Sequence, residues 1–204
     1  MSISLVSYGG AQEVTGSKHI LSSGKTRMMV DCGAFQGKRE EADRKNRECD
    51  FEARSLDGVI LSHAHFDHSG LLPLLRKKGY ERNIYSTPAT RDLANVILMD
   101  SASIQAKDSE YLGKQAAKRG QTFDWKPLYD EQDVIRTMEQ FVTISYGRPF
   151  IPVQDMEAVF SDAGHILGSS TIHVTLGSGK RKLRVGFSGD LGRKGKPILR
   201  DPAP

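Results

Sequence analysis

The sequence predicts a mixed α/β (α+β) chain in which helices and strands alternate early and strands dominate late. Three observations lead there. Short apolar and β-branched runs recur, and most close on glycine- or aspartate-containing turns. Two stretches carry helix-start chemistry, Thr87-Pro88 and Asp130. Three His and one Asp fall within the six residues His63–His68, between an apolar run and a helix opening.

In chain order, residues 3–8 and 17–22 read as strands joined by Gly9-Gly10-Ala11-Gln12-Glu13-Val14-Thr15-Gly16-Ser17. Three glycines in that loop imply unusual backbone angles or close approach. Arg27-Met28-Met29-Val30 is a buried strand ending at Asp31-Cys32-Gly33. Asp31 is placed either to support a site at the strand end or only to shape the turn. Residues 38–49 are charged and read as a surface helix. Gly58-Val59-Ile60-Leu61 reads as a short buried strand, Leu71–Lys78 as a short helix and Ile84-Tyr85 as a strand. Thr87 is an N-cap with Pro88 at the first helical position. That helix is expected to run past Ile104 towards Lys118, with Leu93, Ile97 and Ile104 on one side. Trp125 reads as packing. Asp130 caps a further helix to about Gln140, with Val134, Ile135 and Met138 as its apolar stripe. Strands follow at Phe141–Ile144, Glu157–Ser161, Thr171–Leu176 and Leu183–Phe187.

The length, 204 residues, suits one domain with a sizeable core, or one and a half. Hydrophobic residues make up 38% and charged ones 26%, which sets aside a disordered chain. No apolar run approaches the ~20 residues of a membrane span. The opening Met-Ser-Ile-Ser-Leu-Val-Ser-Tyr reads as a strand, not an export signal. A cytoplasmic location is therefore expected, with Cys32 and Cys49 as reduced thiols. From Gly177 to Pro204 the chain carries eight basic and two acidic residues, a local charge of +6 that suits a polyanion or a solvated face.

His63 and His65 alternate around Ala64, so an extended backbone points both the same way. Asp67 and His68 follow the start of the turn and can face a second point. Without a metal this grouping would crowd side chains that tend to charge and repel. Imidazole with carboxylate suits zinc or a similar transition metal.

The stretch His-Ala-His-Phe-Asp-His resembles the HxHxDH signature of the metallo-β-lactamase superfamily. The resemblance implies an αββα sandwich with one or two metals at a sheet edge. Gly-Gly-Ala-Gln-Glu-Val-Thr-Gly-Ser and Asp-Cys-Gly-Ala-Phe-Gln-Gly look like the opening of its β-CASP branch of RNA- and DNA-cutting enzymes. There, the Asp matching Asp31 is an outer partner of the metal-binding histidines. The Ala-Gly-His loop at His165 matches a metal-binding His. Phe-Ser-Gly-Asp at Asp190 matches a motif whose carboxylate bridges both metals. His165 lies 97 residues after His68, and the helical insertion at 88–140 fits the same branch. His173 reads as the polar face of a strand; the pattern does not decide the face of His19.

The resemblance implies a dinuclear zinc phosphodiesterase acting on RNA, with Mn²⁺ as the other metal. It assigns His63, His65 and His165 to one ion, Asp67 and His68 to the second, Asp190 between them, and Asp67 also to the nucleophile. The alternatives are a small-molecule metallo-hydrolase of thioesterase or lactamase type, or a non-catalytic RNA-binding subunit. In that family the chain runs on into an inserted β-CASP domain and then completes the sandwich. Later residues there supply a general-acid His and a further ligand to the second metal. Residues 1–204 are accordingly expected to form the first part of the metallo-β-lactamase domain, with the second metal site short of one ligand. The second sheet is expected to lack its outer helices. A homodimer or a separate C-terminal chain is expected to cover it, with Ile172-Val174-Leu176 and Val185-Phe187 as contact surfaces.

Overall fold

A computed structural model describes residues 2–48, 51–177 and 182–203. Cys49, Lys180, Arg181 and Pro204 lie outside the described residues. Ten strands are described: β1 (Ile3–Gly9), β2 (Lys18–Ser23), β3 (Thr26–Val30), β4 (Gly58–Ile60), β5 (Ile84–Ser86), β6 (Phe141–Thr143), β7 (Phe150–Val153), β8 (Met156–Asp162), β9 (Ser170–Leu176) and β10 (Leu183–Phe187). Five α-helices accompany them: α1 (Arg39–Arg47), α2 (Phe66–Ser69), α3 (Leu72–Lys77), α4 (Pro88–Lys118) and α5 (Glu131–Met138). A short 3-10 turn spans Ala53–Ser55.

The first sheet has the order β1-β2-β3-β4-β5-β6 and the second β10-β9-β8-β7. β1, β2 and β3 pair antiparallel, and β3 to β6 run parallel. The second sheet is antiparallel throughout. Parallel strands need crossovers, and the helical segments between β4, β5 and β6 supply them.

Side-chain alternation sorts each inner strand between two cores. Ile20, Met29 and Val59 face a core shared with Leu72, Ala94, Leu98 and Val134 of the helices. Leu21, Met28 and Ile60, one residue away, face a core shared with Ala158, Phe160, Ile172 and Val174 of the second sheet. β4 is buried on both faces, which is why Gly58-Val59-Ile60 reads as an unbroken apolar run. The described layers are thus helices, sheet and sheet. No helical residue enters the second core, and Glu157, His173 and Arg184 are exposed on the outer side of the second sheet.

Four expectations need correction. Ile172, Val174 and Leu176 are buried between the sheets, and Val185 and Phe187 pack against them, so they are not contact surfaces. Their alternation was right, but the outward face is the polar one. Along α4 the fully buried positions are Thr90, Ala94, Leu98 and Ala102; Leu93 and Ile97 are only partly buried and Ile104 is exposed. Small residues let the helix approach the sheet closely. On α5, Ile135 is exposed, and Thr137 joins Val134 and Met138 inside. Finally, β7 is a strand not among those expected, and it contains Pro152. It lies at the edge of its sheet, where a proline is tolerated.

Candidate metal centre

The C-terminal ends of β3 and β4 place two loops side by side. After β4 the chain stays extended through His65 and then turns into α2, which begins at Phe66. The 31–34 loop locks onto that turn: Cys32 N donates to His68 O at 2.8 Å and Ala34 N to Phe66 O at 3.0 Å. The glycine-rich first loop joins in, with Ser17 N donating to Asp67 O at 2.8 Å and Gly33 N to Ser17 O at 2.9 Å. A Cβ on Gly33 would fall 1.6 Å from Asp67 O, so only glycine fits there. The first three loops therefore act as one scaffold for the Asp67–His68 turn.

His63, His65, His165 and Asp190 each offer one ligand atom, and these atoms lie within 4.8 Å of one another. His165 Nε2 is 3.2 Å from His65 Nδ1 and 3.4 Å from Asp190 Oδ2. His63 Nε2 is 3.8 Å from the same carboxylate oxygen. Two nitrogens at ~2.0–2.1 Å from a tetrahedral zinc lie ~3.3 Å apart, so these spacings are those of ligands around one ion. The other carboxylate oxygen, Asp190 Oδ1, faces His68 Nε2 at 3.5 Å, and Asp67 Oδ2 lies 3.9 Å from that nitrogen. One carboxylate thus looks towards both residue sets.

His63 Nε2 is buried and has no hydrogen-bond partner. A buried orphan nitrogen is costly, and a metal ion relieves it. The donor set, three imidazoles with a carboxylate, is a borderline-soft set suited to such an ion. The residues therefore fit a divalent metal.

The ring tautomers are fixed from behind by Asp31. Its Oδ2 accepts from His68 Nδ1 at 2.7 Å and from Ser62 Oγ at 2.9 Å, while Oδ1 accepts from Ser62 N at 2.8 Å. Since Ser62 Oγ gives its proton to Asp31, its contact with His63 Nδ1 at 3.0 Å has the imidazole N–H as donor. Both rings then keep Nε2 free to ligate. Asp31 adopts φ +59°, a left-handed conformation held by this network. Burial, and then the charge of His68, hold the His63 imidazolium down to about 3, with Asp31 opposing. For His68 burial acts downward, but the hydrogen bond and charge of Asp31 outweigh it and raise the pKa.

The His165 loop is anchored at α4. Thr87 Oγ1 and Thr90 Oγ1 both donate to Gly168 O, at 2.7 and 2.8 Å, and Ser169 Oγ accepts from His165 N at 3.0 Å. His19 lies outside the four-residue ligand set but lines the same cleft as Asp31, His68 and Asp190, bonded to Ser7 Oγ at 2.8 Å and Ser17 Oγ at 3.2 Å. Exposed His173 stands apart, as its strand pattern indicated. Trp125 packs between Arg39 and Arg47 and donates to Asp43 at 2.8 Å. The structure brings the six candidate residues together from loops of both sheets, His63, His65, Asp67 and His68 after β4, His165 after β8 and Asp190 after β10. Sequence reasoning missed Ser62, Ser17, Thr87 and Thr90 as supports. The only signal for Ser62 was its place directly before His63.

A two-sheet sandwich with a His/Asp cluster on the loops at its strand ends defines a divalent-metal protein. The chain belongs to the metallo-beta-lactamase superfamily, whose family model matches residues 19–204. Among curated proteins it is similar to ribonuclease TTHA0252 of Thermus thermophilus, 33% identical over 199 residues, covering 98% of this chain and 40% of that protein. It is also similar to transcription termination factor FttA of Cenarchaeum symbiosum, 34% identical over 203 residues, covering 98% of this chain and 29% of that protein. The chain thus spans well under half the length of these relatives. Among solved structures, the metallo-beta-lactamase fold protein YhfI of Bacillus subtilis matches with a TM-score of 0.53 at 18% identity, over 94% of this chain and 63% of that one. The metallo-beta-lactamase GOB-18 of Elizabethkingia meningoseptica matches with a TM-score of 0.50 at 17% identity, over 91% and 58%. These two likenesses concern the fold alone. No helix among the described residues is long and apolar enough to cross a membrane.

Proposed function

We propose that this chain carries the metal centre of a zinc-dependent phosphodiesterase that cleaves RNA in the cytoplasm. The observation that carries the reading is Asp190, whose two oxygens face His63 and His165 on one side and His68 on the other. This placement supports a carboxylate that would be shared by two ions. His63, His65 and His165 would hold one, and Asp67 and His68 the other. The His-rich set favours Zn²⁺ over Mn²⁺. A bound metal pair would supply water activation near neutral pH and polarise a phosphoryl oxygen. Asp67, 20% exposed at its side chain, is open to the reaction space and would accept a hydrogen bond from the attacking water. It would orient that water towards phosphorus, in line with the departing 3′ oxygen, so that the P–O3′ bond would break as the new P–O bond forms and the 3′ oxygen would take up a proton from solvent. Asp31 and Ser62 hold the rings in the ligating tautomer throughout. The ribonuclease among the relatives supports RNA as substrate.

The test offers zinc-loaded protein single-stranded RNA, a thioester and a β-lactam in parallel. RNA cleavage that stops on chelation, and falls at least ~100-fold in Asp67→Ala with the fold intact, is expected. Turnover of the thioester or lactam alone would assign the site to small-molecule hydrolysis. RNA binding without any turnover would make it a binding subunit.

A further inference from the structure

The segment after β10 is strongly basic, and its path is fixed. Gly192 N donates to Ala163 O and Ala203 N donates to Asp162 O, both at 2.8 Å. A Cβ on Gly192 would fall 1.7 Å from Gly164 O, and one on Gly164 would fall 2.7 Å from Arg200 O. Both ends of residues 192–203 are thus stitched to the three residues that precede His165. Within the segment, Asp201 accepts from Gly195 N at 2.7 Å and tightens the loop.

This loop carries Arg193, Lys194, Lys196 and Arg200, against one acid, Asp201. Among the described residues no acidic side chain forms an ion pair with any of these four. Elsewhere on the surface pairing is common: Arg44, Lys45, Arg47, Arg91 and Lys114 all have carboxylate partners within 4 Å. Arg193, Lys194 and Arg200 are exposed and Lys196 is half-buried. Because residues 192–203 are docked on Asp162, Ala163 and Gly164, directly before His165, the loop that carries these cations lies beside the ligand set. Four unneutralised charges held together are mutually repulsive, and a polyanion laid across them releases its counterions and removes that repulsion.

We propose that residues 193–200 form a phosphate track that holds a single strand of RNA on the His165 side of the metal centre. This rests on the nuclease reading for the identity of the polyanion, while the charge and the docking of the loop stand without it. The contacts are to phosphates, so the track binds without regard to base sequence and delivers a strand to the site.

The experiment measures binding of a fluorescein-labelled, mixed-sequence single-stranded RNA by anisotropy, with chelator present, across a salt series. Three or four phosphate contacts give a slope of log K against log salt of roughly −2 to −3. Arg193→Gln, Lys194→Gln, Lys196→Gln and Arg200→Gln should each weaken binding and flatten that slope by about 0.7. Lys25→Gln, at the far end of β3 from Asp31, should leave it unchanged. The track is overturned if the four variants keep the wild-type slope, or if Lys25→Gln flattens it equally. It is also overturned if anionic phospholipid vesicles bind while RNA does not. Because chelator removes catalysis, the two readings fail separately. RNA cleavage with unchanged binding in the tail variants sinks only the track. Tail-dependent RNA binding without metal-dependent cleavage sinks only the nuclease.

Discussion

Asp31 bonds His68 directly and reaches His63 through Ser62, so one buried carboxylate orders a ring on each side of the centre. Asp31→Asn keeps the volume but puts an amide against a donor. It should lower metal affinity roughly 10–100-fold, the usual effect of removing such an outer partner. Ser62→Ala should weaken the first site selectively, because it frees the His63 ring to adopt the non-ligating tautomer. Calorimetric zinc titration tests this against the two proposed sites; equal loss at both in Ser62→Ala would contradict this order. The cluster from His63 to His68 was legible in the sequence because several ionisable groups fall in few residues, whereas His165 and Asp190 were reached only through the family resemblance. Ser62 was not legible. A serine beside a histidine is common, and only its rotamer and the φ of Asp31 reveal its task.

At the scale of elements, α4 couples the helical layer to the His165 loop. Thr90 is fully buried and spends its hydroxyl on Gly168 O. Thr90→Val keeps the shape and should cost about 1 kcal/mol, read as a small fall in melting temperature with first-site affinity reduced. Gly168→Ala should do more, since φ is +81° and its Cβ would lie 2.5 Å from Thr90 N. First-site zinc binding should fall in that variant while the far-ultraviolet spectrum is retained. The helix was expected from Thr87-Pro88, and its end from the break that begins at Gly120; Gly113, inside it, did not stop it. Its buried face was misjudged because large apolar residues were taken to mark the inside. Here the buried face is Thr90, Ala94, Leu98 and Ala102, and Ile104, an isomer of the buried leucine, falls on the exposed side. The strands were legible by alternation. What alternation cannot give is which side of a strand meets another layer, and that error put Ile172 and Val174 on the surface.

For the whole molecule, the buried unpartnered Nε2 of His63 means that metal and fold are linked. Zinc at ~100 times its dissociation constant contributes ~2.7 kcal/mol. For a chain this size that raises the melting temperature by roughly 5–10 °C. The unmet demand for a partner lies elsewhere, at the edge of the first sheet. Among the described residues β1 pairs with β2 alone, and Ile3, Leu5 and Val6 are 41%, 51% and 46% exposed. Successive residues point to opposite faces, so β1 shows apolar side chains on both sides as well as an open hydrogen-bonding edge. Edge strands of that kind pair with other chains unless charge or proline blunts them, and Ile3–Gly9 contains neither. Self-association through β1 is therefore expected at micromolar concentration. Leu5→Lys, exposed and away from the metal ligands, should shift light scattering coupled to size exclusion towards the monomer while leaving zinc affinity unchanged. A wild-type chain that stays monomeric throughout that range would show that β1 is not an adhesive edge.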